Sequence, residues 1–362
     1  MGKIRVLVVE DSPTVRKRMV NAISADPECE VVGEAFDATG AIERCMSLRP
    51  DVVALDLLLP GASGLEVTEH IMAYCATPIV IVSASIQQSD VRKTLDMLAA
   101  GAVDVLEKPH GNEAENEWER KLVDVVKFAS RIKVITHIRG RKRGSSSDNP
   151  KILPAAVPAP PVARRSLHKY DLIAVGASTG GPSAVLELLG GSLSLGLPVL
   201  LTVHVGQPLG GSFAGWLGSN LAVPVSEARD GELLPAPGES RVIVAPATRH
   251  MLVERGRLRL SDAPERNACR PSIDILLESV AYEKGARAIG VLLTGMGRDG
   301  AEGLLAMKRA GATTIAQNEA SCVVFGMPRE AIRLGAADHI LSLGEIRSLL
   351  SALSAPAGET IL

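Results

Sequence analysis

The sequence predicts an α/β protein of two units joined by a linker, and three observations carry that expectation. Short apolar β-type runs alternate with helical patterns from Ile4 onward, a basic and then proline-rich stretch interrupts them, and the alternation resumes at Leu172. At 362 residues the chain has room for two domains, each with its own core.

In the first unit the β-type runs fall at 4–9, 31–33, 52–55, 79–82 and 103–106, each followed by a helical pattern. Repeated strand and helix within one domain's length predict a doubly wound, five-stranded parallel sheet, because parallel neighbours need crossover connections. Working residues of such sheets gather beyond the C-terminal strand ends. Here those ends carry Glu10 and Asp11, Asp56, Ser83 and Lys108. A single Asp after a strand is commonly a helix cap. Three carboxylates at one sheet edge instead repel one another unless a hard divalent cation sits among them, and carboxylates with waters suit Mg²⁺.

The interruption begins with basic residues from Arg131 to Arg143 and continues through Ser145, Ser146 and Ser147 to Pro154, Pro158, Pro160 and Pro161. That is linker composition, and the basic run reads as a solvated helix end. After it, strand patterns fall at 172–175, 198–203, 241–244, 288–293 and 313–316, with helical patterns at 183–189, 272–282, 301–310 and 328–334. The second unit is therefore expected to be α/β with a mainly parallel sheet.

A formal net charge of −2 and few aromatic side chains give no reason to expect nucleic acid as a partner. The five cysteines are scattered without a paired framework or zinc spacing, which fits reduced thiols in a cytoplasm. Met1 runs directly into a strand pattern, and no apolar run reaches membrane-spanning length. A cytoplasmic protein without a signal peptide or membrane insertion is expected.

Ser178 is the most informative residue of the second unit. An apolar run delivers it into Gly176-Ala177-Ser178-Thr179-Gly180-Gly181, just before a helical pattern. Such a turn projects a nucleophilic hydroxyl and lets substrate and backbone N–H groups approach; it equally suits a phosphate cradle. A Ser nucleophile needs a His base. His204 directly follows a predicted strand at the end where Ser178 emerges, His250 is its rival, His168 lies in the linker and His339 near the last strand. The third constellation is Thr294-Gly295-Met296-Gly297-Arg298-Asp299-Gly300. Its glycine spacing matches a dinucleotide turn, with Glu319 as the ribose acid, but it comes late in the unit instead of opening it. The alternative use is to bring Asp299 to a His and backbone N–H groups to an oxyanion; the plainest is Asp299 as an N-cap of the next helix.

Residues 3 to about 125 resemble a two-component response-regulator receiver domain. The resemblance implies that Asp56 accepts a phosphoryl group from a histidine kinase, that Glu10, Asp11, Asp56 and the Leu58 carbonyl hold Mg²⁺, and that Ser83 and Lys108 follow the phosphate. Leu59, Ser63 and Val105 depart from the family's usual Met, Asp and aromatic residue. Loss of the aromatic puts the usual route of signal spread in question.

The combination of the Ser178 turn, His204 and Leu293-to-Gly300, with Arg270-Pro271-Ser272-Ile273-Asp274 and the long stretch from Ala316 to Glu330, resembles the CheB-type chemotaxis protein-glutamate methylesterases. This resemblance covers nearly the whole chain. It implies hydrolysis of glutamate methyl esters on chemoreceptors, with glutamine deamidation in some members, through Ser178 as nucleophile, His204 as base and Asp299 as orienting acid. It also implies an oxyanion site at the Met296 backbone and a supporting role for Thr179 beside His204. Mg²⁺ then belongs to the receiver, and ester hydrolysis needs no cofactor. The loop after His204 reads Val-Gly-Gln-Pro-Leu-Gly where the family commonly has Met-Pro-Pro-Gly. The implied organisation is a receiver at 1–125, a helix end and linker at 126–168, a methylesterase domain at 169–355 and a tail at 356–362. A non-enzymatic regulator with a C-terminal docking module is the alternative, and a nucleotide-dependent oxidoreductase a more distant one.

Overall fold

The computed structural model describes residues 2–83, 88–109, 116–132, 134, 170–190, 196–206 and 209–354. The Pro-rich linker, His168, the tail at 356–362, and Gln207 and Pro208 of the loop after His204 lie outside the described residues.

The first unit runs β1 (Ile4–Val9), α1 (Pro13–Ala25), β2 (Cys29–Ala35), α2 (Ala38–Leu48), β3 (Val52–Asp56), α3 (Gly64–Tyr74), β4 (Ile79–Ser83), α4 (Gln88–Ala99), β5 (Asp104–Glu107) and α5 (Glu117–Ala129). Its strands form one parallel sheet in the order β2-β1-β3-β4-β5. The apolar runs are continuous because helices cover both faces: β3 and β4 are buried at every position. The departure at Ser63 serves α3 locally, where Ser63 and Glu66 exchange side-chain to backbone hydrogen bonds in a capping box. Helix α5 continues past residue 125 to Ala129.

The second unit adds β6 (Leu172–Ala177), α6 (Gly181–Leu189), β7 (Val199–Val203), α7 (Gly210–Asn220), β8 (Val225–Glu227), β9 (Val242–Val244), β10 (His250–Glu254), β11 (Arg257–Ser261), α8 (Ile273–Lys284), β12 (Ala288–Leu292), α9 (Ala301–Arg309), β13 (Thr313–Gln317), α10 (Met327–Arg333), β14 (His339–Leu341) and α11 (Leu343–Ser354). The order β14-β13-β12-β6-β7-β9-β8 is parallel throughout, and β10 and β11 form a separate antiparallel hairpin. The chain winds outward from β6 through β7 and then returns to β12 on the other side of β6. That reversal creates a crevice at the C-terminal ends of β6 and β12.

Helix α8 crosses β6 so closely that a Cβ on Gly176 would lie 2.2 Å from Ile273 Cγ2. Glycine is required there by contact with Ile273, the first residue of the helix that the Arg270-to-Asp274 stretch leads into. Helix α7 was not anticipated, since Gly210, Gly211, Gly215 and Gly218 weaken it. Burial of Phe213, Trp216 and Leu217 supplies the stability that its composition lacks.

The units share apolar surface. Val91 and Leu95 of α4 are buried in the second unit's core beside α6 and α7. Trp216 Nε1 donates a 2.8 Å hydrogen bond to Asp96 Oδ1 on α4. Val323 and Val324 of the second unit pack in turn against the first unit's hydrophobic cluster.

Gly176→Ala is expected to destabilise the second unit by about 1–3 kcal/mol, since Ile273 must move to admit the methyl group. A lower denaturant midpoint for that unit's transition, with an unchanged slope, is the measurement that checks it.

Candidate active site

Strand β6 ends at Ala177 and hands the chain to Ser178, whose carbonyl accepts from Gly181 N–H at 2.6 Å. Gly180 closes the turn at φ +75°, and a Cβ there would also meet Val323 at 2.6 Å. Next door, β7 ends at Val203, and His204 N–H donates to Ala177 O at 3.0 Å. On the other side, β12 leads into Thr294, whose carbonyl accepts from Ser178 N–H at 3.0 Å. Three adjacent strand ends thus bring Ser178, His204 and the turn from Thr294 to Asp299 together.

Asp299 is 2% exposed and its carboxylate is crowded with donors. Oδ2 accepts from His204 Nε2 at 3.0 Å and from Ile273 N–H at 2.6 Å. Oδ1 accepts from Ser272 Oγ at 2.7 Å, Asn267 Nδ2 at 3.2 Å and Asp274 N–H at 3.3 Å. Asp299 therefore sits at the N-terminus of α8, where the helix dipole favours negative charge. It does not cap α9, whose N-cap is Gly300, so the plainest alternative use of Asp299 is not the one found here. Asp274 fills the reciprocal place and accepts Gly303 N–H in the first turn of α9 at 2.7 Å.

Burial alone would raise the Asp299 pKa, but the hydrogen bonds from His204, Ile273 N–H and Ser272 outweigh it and hold the group at about 2. Burial would lower the His204 pKa, whereas its bonds to Asp299 and to the Cys269 thiol, which lies 3.7 Å from Nδ1, raise it to about 9. A carboxylate only accepts, so Nε2 carries a proton and Nδ1 is the nitrogen left for base chemistry. Among the described residues Ser178 Oγ makes no hydrogen bond to His204.

The first unit walls this site. A cavity of about 190 Å³ is lined by Ser178, His204 and Leu209 on one side and by Leu98, Asp104 and Val105 on the other. Val105, in place of an aromatic, is half-buried at that junction and packs against the cores of both units.

At the first unit's own sheet edge, donor atoms of Glu10, Asp11 and Asp56 lie within 4.8 Å of one another. Lys108 Nζ bridges Glu10 Oε2 at 2.7 Å and Asp56 Oδ1 at 3.0 Å. Burial raises the pKa of both Glu10 and Asp56, partly offset by Lys108. Ser83 is buried at the adjoining strand end, and its carbonyl accepts Lys108 N–H at 2.6 Å. An all-oxygen, acid-rich donor set of this kind fits a Mg²⁺ ion.

Residues 173–350 match the family described as CheB methylesterase, and residues 6–116 match the response regulator receiver domain. A protein-glutamate methylesterase/protein-glutamine glutaminase of Sulfurimonas denitrificans is 39% identical over 358 residues, covering 97% of this chain and 98% of the relative. The protein of the same name from Nitrosospira multiformis is 41% identical over 367 residues, covering 99% of each chain. The chain belongs to the CheB methylesterase family.

Within this CheB-family chain, Ser178, His204 and Asp299 converge, while His250 stands apart. His250 is fully buried; its Nδ1 accepts Ser272 N–H at 3.0 Å and its Nε2 lies 3.1 Å from Pro264 O. Its place is behind Ser272, which in turn holds Asp299. Thr179, expected to support His204, lines the same cavity as His204 and Ser178. Among the described residues no hydrogen bond joins Thr179 and His204, and the Thr179 carbonyl accepts Thr294 Oγ1 at 3.0 Å. Met296 is 59% exposed, and its backbone N–H makes no hydrogen bond among the described residues, which leaves it available to an oxyanion. The dinucleotide interpretation of the glycine turn fails on contact: Gly295 is bonded through both backbone groups to Val324, Gly326 and Met327, whose segment fills the turn. Ser272, Asn267 and Cys269 were missed as members of the site. The match of Arg270 to Asp274 to the family was the available signal for the first of them.

An imidazole accepts a proton only when neutral, and the prediction for His204 follows from its raised pKa. In the unphosphorylated protein, kcat/KM should therefore rise about tenfold per pH unit until it levels near pH 9. Asp299→Asn should move that inflection down toward the ordinary value of 6.5 and lower the plateau rate. Because the folded-state pKa of His204 is raised, the pair's stabilisation is full below 6.5 and lost as pH rises through about 9. Because that of Asp299 is depressed, its share is present above 3.8 and lost as pH falls through about 2. A pH profile of initial methanol release with thermal melts at each pH checks both statements.

Proposed function

We infer that this chain is a phosphorylation-controlled protein-glutamate methylesterase acting on chemoreceptors, with glutamine deamidation as a second use of the same chemistry. The observation that carries the inference is the Asp299-anchored His204 standing beside Ser178 at adjoining strand ends. Ser178 Oγ attacks the ester carbonyl and its proton passes to His204 Nδ1, while Asp299 holds the imidazole through Nε2. The Met296 N–H stabilises the oxyanion. The proton then passes to the departing methoxide and methanol leaves; water repeats the sequence on the acyl-enzyme and releases glutamate. With a glutamine amide the leaving group is ammonia.

In this reading residues 1–125 are the receiver, 126–168 the helix end and linker, 169–355 the methylesterase domain and 356–362 a tail. A histidine kinase supplies the phosphoryl group to Asp56. Glu10, Asp11, Asp56 and the Leu58 carbonyl would hold Mg²⁺, which when bound neutralises charge on the phosphoryl oxygens. Lys108 leaves Glu10 to pair with the new phosphate, and Ser83 approaches it. The protein works in the cytoplasm, where it meets receptors without inserting into the membrane or binding nucleic acid. No helix of the described residues is long and apolar enough to cross a membrane.

The resting arrangement supports control by occlusion. Val91 and Leu95 anchor α4 in the catalytic unit, and β5 faces Ser178 across the cavity. A tether that keeps the receiver nearby makes even a modest interface effective. A docking module without chemistry would have no use for an imidazole held by a five-bonded carboxylate at this cleft.

Ser178→Ala should lower methanol release at least ~10⁴-fold with folding unchanged, while Asp56→Asn should block labelling by a small phosphodonor and remove its stimulation of the esterase. Retention of wild-type turnover by Ser178→Ala would sink the assignment. Asp96→Ala removes the bond to Trp216 and should raise the unphosphorylated rate several-fold, up to about tenfold, while shrinking the stimulation by phosphodonor. Methanol release with and without phosphodonor measures both quantities.

A further inference from the structure

The Cys269 thiol forms and breaks no bond in the ester chemistry, yet it stands at the nitrogen proposed to perform it. Its sulfur lies 3.7 Å from His204 Nδ1, and one donor atom each from His204, Cys269 and Asp299 fall within 4.8 Å of one another. Asn267 and Ala268, just before it, both adopt left-handed φ values of 54° and 58°. Their turn also lets Asn267 bond to Asp299 at 3.2 Å while Cys269 faces His204.

Asp299 has its lone pairs committed to five hydrogen bonds. Its service to a cation is therefore indirect: it binds Nε2–H and leaves the Nδ1 lone pair toward the thiol. Zinc-binding imidazoles are held in this way, with the far nitrogen donating to a carboxylate. Bonds of roughly 2.0 Å to nitrogen and 2.3 Å to sulfur at a tetrahedral angle set the two donors about 3.5 Å apart. The observed separation is within a few tenths of an ångström of that value.

We propose that His204 Nδ1 and Cys269 Sγ form a site for a thiophilic divalent cation of the zinc class, and that its occupation arrests the esterase by taking the base's lone pair. The proposal rests on His204 being that base. Binding forms a metal–nitrogen and a metal–sulfur bond; the thiol proton and, below about pH 9, the Nδ1 proton of the imidazolium are released to solvent, with no change of oxidation state. Water completes the coordination shell from the cavity that opens on His204. The receiver pocket of Glu10, Asp11 and Asp56 offers oxygen donors alone, so donor softness directs Mg²⁺ to one site and zinc to the other.

The test uses the full-length protein with Mg²⁺ in excess and Co²⁺ as the optical probe. A thiolate-to-cobalt charge-transfer band is expected in the parent, and also in Cys45→Ala, which disrupts the other close thiol pair, whose sulfurs lie 3.3 Å apart. The band should be absent in Cys269→Ser and Cys269→Ala. Zinc at about 50 μM should lower methanol release by the parent at least ~tenfold, a chelator should restore it, and Cys269→Ser should lose less than ~twofold of its own zinc-free rate. Asp56→Asn should remain as zinc-sensitive as the parent. A cobalt band of parental strength in both Cys269 variants, or equal zinc inhibition of parent and Cys269→Ser, overturns the site. A Cys269-dependent band without any effect of zinc on methanol release overturns the arrest, and it separately counts against His204 as the base. Thermal melts of the two Cys269 variants identify whichever keeps the parental fold, and the comparison is made on that one.

Discussion

The buried carboxylate of Asp299 accepts hydrogen bonds from an imidazole, a hydroxyl, an amide side chain and two N–H groups of a helix terminus. An isolated charge in such a place would be strongly penalised; five donors and the end of α8 make the ionised form the stable one. The consequences spread outward. The carboxylate fixes His204, locks Ser272 and Asn267, and ties α8 to the loop after β12. It also requires Gly176, because α8 must approach β6 closely for its first N–H groups to reach the carboxylate. The placement of His204 and the packing around α8 are thus tied to satisfying one buried charge.

The second organising constraint is the sharing of α4. Its apolar side chains belong to the second unit's core as much as to the first, and its Asp96 accepts from Trp216. Both units are complete sheets with covered faces, so the junction is a contact between finished surfaces. Such a contact can be released without unfolding either side.

The strand ends were legible in the sequence because parallel strands covered on both faces read as unbroken apolar runs, and a polar residue after such a run has few places to go but the sheet edge. Asp56, Ser83, Lys108, Ser178 and His204 were all located in that way. The hairpin of β10 and β11 was missed although Arg255 and Gly256, both at positive φ, form the two-residue turn that its flanking alternation suggested. Helix α7 and the short edge strand β8 were not legible, because packing and not composition stabilises them. The neighbours of Asp299 were hidden for a different reason. Asn267, Cys269 and Ser272 lie about thirty residues from it along the chain and meet it only through the crossing of α8 over the sheet.

Strand β5 is four residues long, and both functions of the first unit press on it. Lys108 follows its last residue and reaches Asp56, while Asp104 and Val105 look into the cavity beside Ser178. Only three peptide units separate Lys108, bonded to Asp56, from Val105 at the cavity beside Ser178. Both sites are therefore built on one short strand. A graft of another receiver onto this catalytic unit would inherit its phosphorylation chemistry intact and yet stay deaf or permanently open unless the outward face of this strand came with it.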